Sequence, residues 1–191
     1  MAIESDGLNL DYFNESDSTN HFFFEACCIT PLDERDKFTK GLYDCVALII
    51  TGLVKGTPVS LLSHFNPKTI KNKNEEMGDP SYFENELKKY LEENCIDIEN
   101  DTLKIFVVGG KKDERYTRFG KDSIAAILSG EESYELIKKI LISASYEVFK
   151  KSPSFPIEPS TRFSVNNEEE DTRVYIHTKK GEIYVVRKPQ K

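Results

Sequence analysis

Two apolar runs, Cys45-Val46-Ala47-Leu48-Ile49-Ile50 and Pro58-Val59-Ser60-Leu61-Leu62-Ser63-His64-Phe65, flank the segment Gly52-Leu53-Val54-Lys55-Gly56-Thr57. Short runs rich in Val, Ile and Leu, separated by a glycine-bearing turn, read as a β-hairpin over 44–52 and 58–65. Pro58 is tolerated as a first strand residue. Both strands are apolar on their two faces, which suits a sheet covered on both sides. Whatever else the chain forms must supply that cover.

Helical stripes provide one layer. After Ser81-Tyr82-Phe83-Glu84, which has the spacing of a capping box, Phe83, Leu87, Tyr90 and Leu91 line one helical face. Within 131–150, Tyr134, Ile137, Leu141, Ala144 and Val148 form a second, longer stripe. Further strands are expected at 21–29, 103–108, 161–165, 172–178 and 182–187, with Lys179-Lys180-Gly181 turning the last two into a hairpin. Ser123 to Leu128 fits a helix or a strand. Residues 1–20 read as a polar, loosely attached leader, and Asn66 to Asp79 as a polar loop. Hairpins at front and back with helices between them predict one α+β domain over 21–191, with packed mixed β-sheets flanked by helices.

Charge narrows the partners. The 26 Lys and Arg against 33 Asp and Glu leave a net −7, which argues against nucleic acid, since phosphate binding needs a positive footprint. No run approaches the ~18 consecutive apolar residues of a membrane span. The start, Met1-Ala2-Ile3-Glu4-Ser5-Asp6, lacks the basic-then-apolar order of a signal peptide. The expectation is a protein that is cytoplasmic where it is made, with export by a route lacking a cleaved signal left open. Cys27, Cys28, Cys45 and Cys95 show no zinc-knuckle spacing and no disulfide framework. Cys27, Cys28 and Cys95 read as small buried residues, and no cofactor or metal is called for.

Chemistry enters through the hairpin. If Gly52 pairs with Thr57 across a four-residue loop, Cys45 falls directly opposite His64, with Cβ atoms ~4.5–5.5 Å apart. A thiol beside an imidazole is a candidate nucleophile, with the histidine as base and then acid. A third group that fixes the histidine tautomer completes such a site, and Thr39, six residues before Cys45, is placed to do so. The turn Tyr43-Asp44-Cys45 is where backbone donors to a developing oxyanion would lie. A packed cysteine and a satisfied surface histidine remain the ordinary alternative, and a one-residue slip would put the two side chains on opposite faces.

Thr39-Lys40-Gly41-Leu42-Tyr43-Asp44-Cys45-Val46 resembles the Thr-x-Gly-Leu-Gly-Ser-Cys-Val signature of the CheD family of chemoreceptor glutamine deamidases. Ser63-His64-Phe65-Asn66-Pro67 is similar to the family's Ala-His-Phe-Met-Leu-Pro, and Leu103 to Gly110 to its Lys-Ile-Phe-Gly-Gly segment. The closing hairpin, Asp171 to Arg187, resembles the family's last strands. A like Cys and His arrangement occurs in the cytotoxic necrotizing factor toxins. The resemblance implies a Cys45-His64-Thr39 site that hydrolyses a glutamine carboxamide on a protein, either a host protein or a chemoreceptor. It also implies packed β-layers flanked by helices. Tyr43-Asp44 departs from the family's Gly-Ser.

Other features carry less. His21 and His177 have no acidic or thiol neighbour at ligand spacing, Gly109-Gly110 reads as a tight turn, and Asn166 to Asp171 as a solvated acidic loop. Two further functions stay open: a binding module on the same fold whose chemistry is lost, and a thiol enzyme that transfers to amines or hydrolyses small amides.

Overall fold

The computed structural model describes residues 2–3, 21–24, 27–42, 45–66, 80–109, 130–156 and 170–189. At its centre is the expected hairpin, β5 (Val46–Val54) and β6 (Thr57–Phe65). Its turn is tighter than the four-residue loop predicted: Val54 pairs with Thr57 across Lys55-Gly56 alone. Both turn residues have positive φ, 51° at Lys55 and 77° at Gly56, as the two-residue turns matching strand twist require. The register therefore differs by two residues from that expected, with Gly52 facing Val59 and Val46 facing Phe65.

This hairpin sits inside a five-stranded sheet. Its strand order is β2 (His21–Phe24), β3 (Cys27–Ile29), β6, β5 and β7 (Lys104–Gly109). The single strand expected over 21–29 is thus two short antiparallel strands, with a register shift between Phe22 and Phe24. A second sheet runs in the order β1 (Ala2–Ile3), β9 (Glu182–Pro189), β8 (Glu170–His177) and β4 (Lys37–Thr39). Ala2 and Ile3, read from sequence as loose leader, pair in parallel with Tyr184 and Val185. The expected strand at 161–165, Ser123 to Leu128, and most of the loop after Asn66 lie outside the described residues.

Alternation along β5 sorts its side chains between two cores. Val46, Leu48 and Ile50 face the helices α1 (Pro80–Cys95) and α2 (Gly130–Phe149), where they meet Phe83, Leu87, Leu91, Ile137, Leu141 and Ala144. Ala47 and Ile49 face the other sheet and pack with Leu62, Val108, Val174, Ile176, Ile183 and Val185. The layers run four-stranded sheet, five-stranded sheet, helices: an α+β fold. The helical stripes land as the periodicity predicts, with Phe65 edge-on to Phe83 at 5.3 Å tying β6 to α1. At the start of α1 the chain does something else. The helix begins at Pro80, a favoured first position, and the Glu84 carboxylate reaches Ser143 Oγ at 2.6 Å and Lys88 Nζ at 2.8 Å.

Candidate active site

The three residues singled out from sequence come together in the seam between the sheets, where β5 begins and β6 ends. Thr39 ends β4, a three-residue strand that is not among those expected from sequence. Lys37 and Thr39 are two apart and pair with Ile176 and Val174 of β8, both in the inter-sheet core, so both side chains enter the seam. From Thr39 the chain crosses to the other sheet. Leu42, 1% exposed, is buried in that core and its N–H donates to the Thr172 carbonyl at 3.2 Å. Three residues later Cys45 packs against the same core. Tyr43 and Asp44 lie outside the described residues, and with them part of the expected oxyanion turn.

His64 comes from β6. It follows Leu62 by two, on the seam face, and its ring Nδ1 lies 2.8 Å from Thr39 Oγ1. That bond joins the two sheets. In the tautomer with the proton on Nδ1, Nδ1 donates to the threonine oxygen and Nε2 keeps a lone pair free to accept a proton. Burial holds the His64 pKa below its ordinary value of 6.5, because a charged imidazolium is poorly solvated there. A neutral ring at neutral pH is a base.

The register difference changes the relation of Cys45 to His64. With Val46 opposite Phe65, Cys45 falls two residues along from the position facing His64. A displacement of two keeps the side chains on the same face, whereas a displacement of one would not. The two are diagonal neighbours, for which Cβ separations are ~7–8 Å, and not the directly opposed pair expected. The ladder also opens beside His64. Pairing lapses between Ile49–Leu62 and Val46–Phe65, and the Leu48 N–H donates instead to Ser63 Oγ at 2.7 Å.

Two structural devices hold this geometry. Gly109 closes β7 opposite Val46 with φ 91°, and a Cβ there would stand 2.6 Å from the Cys45 carbonyl oxygen. What looked like a tight turn is a close approach of backbone to the candidate nucleophile. Lys37, 1% exposed, anchors β4. Its ammonium pairs with the Asp33 carboxylate and donates to the Arg35 carbonyl at 3.0 Å. Burial pulls the Lys37 pKa down, and Asp33 only partly offsets this. Asp33, desolvated in turn, is held below the usual carboxylate range by Arg35 and Lys37.

The thiols differ from their expected uniformity. Cys95 is buried at the end of α1, and desolvation raises its pKa to about 12. Cys28, expected to be buried, is only partly so, and it is the cross-strand partner of His64. A single strand over 21–29 leaves the partner of Cys28 undefined; the split into β2 and β3 sets it opposite His64. His177 also gains an acidic neighbour that local spacing could not reveal, Asp36 Oδ1 at 3.1 Å from Nδ1. Among the described residues no group of three or more His, Cys, Asp or Glu side chains is arranged to hold a metal ion. No helix among them is long and apolar enough to cross a membrane. No protein-family profile, curated protein or solved structure matches this chain.

Proposed function

We propose that the chain is a cysteine-dependent protein-glutamine deamidase with Cys45 as nucleophile, His64 as base and acid, and Thr39 as the residue that orients His64. The observation that carries this reading is the 2.8 Å link between Thr39 Oγ1 and His64 Nδ1, made across two sheets beside Cys45. The bond sets the orientation of the ring between the sheets, and with Nδ1 as its donor Nε2 is left for proton transfer. The signature Thr39 to Val46, with its likeness to the CheD family, supplies the substrate class.

In this reading His64 Nε2 takes the Cys45 thiol proton as the sulfur attacks the carboxamide carbon of a glutamine side chain. The imidazolium then gives that proton to the departing nitrogen, which leaves as ammonia, and a thioester remains. Water, deprotonated by His64, attacks the thioester carbon. The thiolate departs, recovers its proton, and glutamate is left on the target. With Thr39 Oγ1 accepting from Nδ1–H, Nε2 is the nitrogen left to exchange protons in every step. The substrate is a protein, a host protein or a chemoreceptor, whose glutamine must reach Cys45 where β5 begins.

The test is ammonia release and a mass gain of about one dalton on candidate proteins. Wild type should give both, while Cys45→Ser and His64→Ala should give neither at unchanged circular dichroism. Ammonia release that survives Cys45→Ser would refute the reading. Amine incorporation in place of the one-dalton gain would move the function to transglutamination. Partner capture without either product would favour the binding module.

A further inference from the structure

Three proton-exchanging side chains share the seam face near the end of β6, and the proposed reaction uses only two of them as nucleophile and base. The third is Cys28. It pairs directly with His64 across β3 and β6, while its neighbour Ile29 is buried on the opposite, helix-facing side. Directly opposed side chains have Cβ atoms ~4.5–5.5 Å apart, closer than the ~7–8 Å of a diagonal pair. By register, then, His64 stands nearer to Cys28 than to Cys45. Cys28 is a thiol and only partly buried, so a small reagent can reach it.

A disulfide between the two cysteines is out of reach. β3 and β5 flank β6 on opposite sides, which sets their backbones roughly 10 Å apart. Bridged cysteines have Cα atoms within about 7 Å. The two sulfurs therefore compete for one imidazole and do not bond to each other.

We propose that Cys28 is a modification site, a second thiol served by His64, whose capture by a small disulfide sets a bulky adduct against the imidazole and screens it from Cys45. The step balances without any group beyond that disulfide. His64 Nε2 takes the Cys28 proton, and the sulfur attacks one sulfur of the reagent. A new S–S bond forms as the old one breaks, and the departing thiolate takes the proton back from His64. One thiol and one disulfide give one mixed disulfide and one thiol. The closing of the site rests on the proposed deamidase chemistry; the activation of Cys28 does not.

The test uses the full chain, oxidised glutathione or iodoacetamide near neutral pH, and peptide mapping by mass spectrometry with Cys95 as internal reference. Cys28 should be modified at least about tenfold faster than Cys95 in wild type and in Cys45→Ser. In His64→Ala and His64→Gln that rate should fall several-fold with Cys95 still slow, which shows that the fold is kept. A preformed Cys28 mixed disulfide should slow alkylation of Cys45, and Cys28→Ser should abolish that protection, with the Cys45 rate at or above its wild-type value. A Cys28 rate equal to that of Cys95, or unmoved by both His64 substitutions, overturns the proposal. Since the readout is thiol modification, its failure is told apart from a failure to release ammonia.

Discussion

Gly109→Ala should slow Cys45 by displacing its backbone carbonyl. The added Cβ would start 2.6 Å from the Cys45 carbonyl oxygen and 3.4 Å from Leu42 Cβ. To reach 3.0 Å, below which real Cβ atoms are essentially never found, the Cys45 backbone must retreat by about 0.4 Å. An L-residue at φ 91° adds about 1–2 kcal/mol of backbone strain. Gly56→Ala isolates that second contribution, because Gly56 also has positive φ, 77°, but open space around its Cβ position. Urea denaturation should therefore give about 1 kcal/mol for Gly56→Ala and at least about 2 kcal/mol more for Gly109→Ala, in the range of overpacking. Misplacing a reacting group by 1 Å can cost about 100-fold, so a shift of about 0.4 Å predicts roughly a tenfold slower Cys45. Iodoacetamide labelling of Cys45 reads this directly, with Gly56→Ala expected at the wild-type rate. Equal stability losses for the two variants, with Cys45 equally fast in both, would refute the claim that Gly109 positions the nucleophile.

Three more expectations follow from the same geometry. Thr39→Val should cost about 1 kcal/mol for the lost hydrogen bond and lower kcat more than it raises KM, with Thr39→Ser restoring most of both; an unchanged kcat would remove Thr39 from its role. Because burial depresses the His64 pKa, the unfolded chain binds the extra proton first as pH falls. The stability tied to His64 is complete above about pH 6.5 and is lost as pH drops through the lower folded value; His64→Gln should flatten that part of the acid profile in thermal melts, and an identical profile would contradict it. Asp33→Ala should cost about 2–3 kcal/mol by stranding the Lys37 ammonium, whereas Lys37→Met, which leaves Asp33 its Arg35 Nε bond of 2.7 Å, should cost less than about 1 kcal/mol. Equal losses in chemical denaturation would show that the pair does not anchor β4.

Much of the layer structure was legible because it rests on periodicity. The stripes from Phe83 to Leu91 and from Ile137 to Val148, the central hairpin and the closing hairpin all declare themselves in runs of eight or more residues. β4 did not, since three residues beginning with a lysine carry no strand signal. Lys37 looks like a solvated charge until Asp33 and the Arg35 carbonyl are brought to it by the fold. The split of 21–29 into β2 and β3 has no local mark for a like reason: the sequence between them, Glu25-Ala26, has none of the glycine, proline or asparagine that signals a turn.

Composition and the apolar runs by themselves determined that a doubly covered hairpin would form the centre; Cys45 and His64 point the same way because the register moved by two residues and not by one. Facing is a parity property, and a register displaced by two residues preserves it. Distance is not. How close sulfur comes to imidazole depends on the Lys55-Gly56 turn, which set the displacement, and on which strand flanks β6 on its other side. Tertiary packing alone decided that Thr39 would cross from the second sheet to reach Nδ1, that Gly109 would press on the Cys45 carbonyl, and that Cys28 would face the same ring. Each of these joins residues from separate strands, and local pattern carries no record of such meetings.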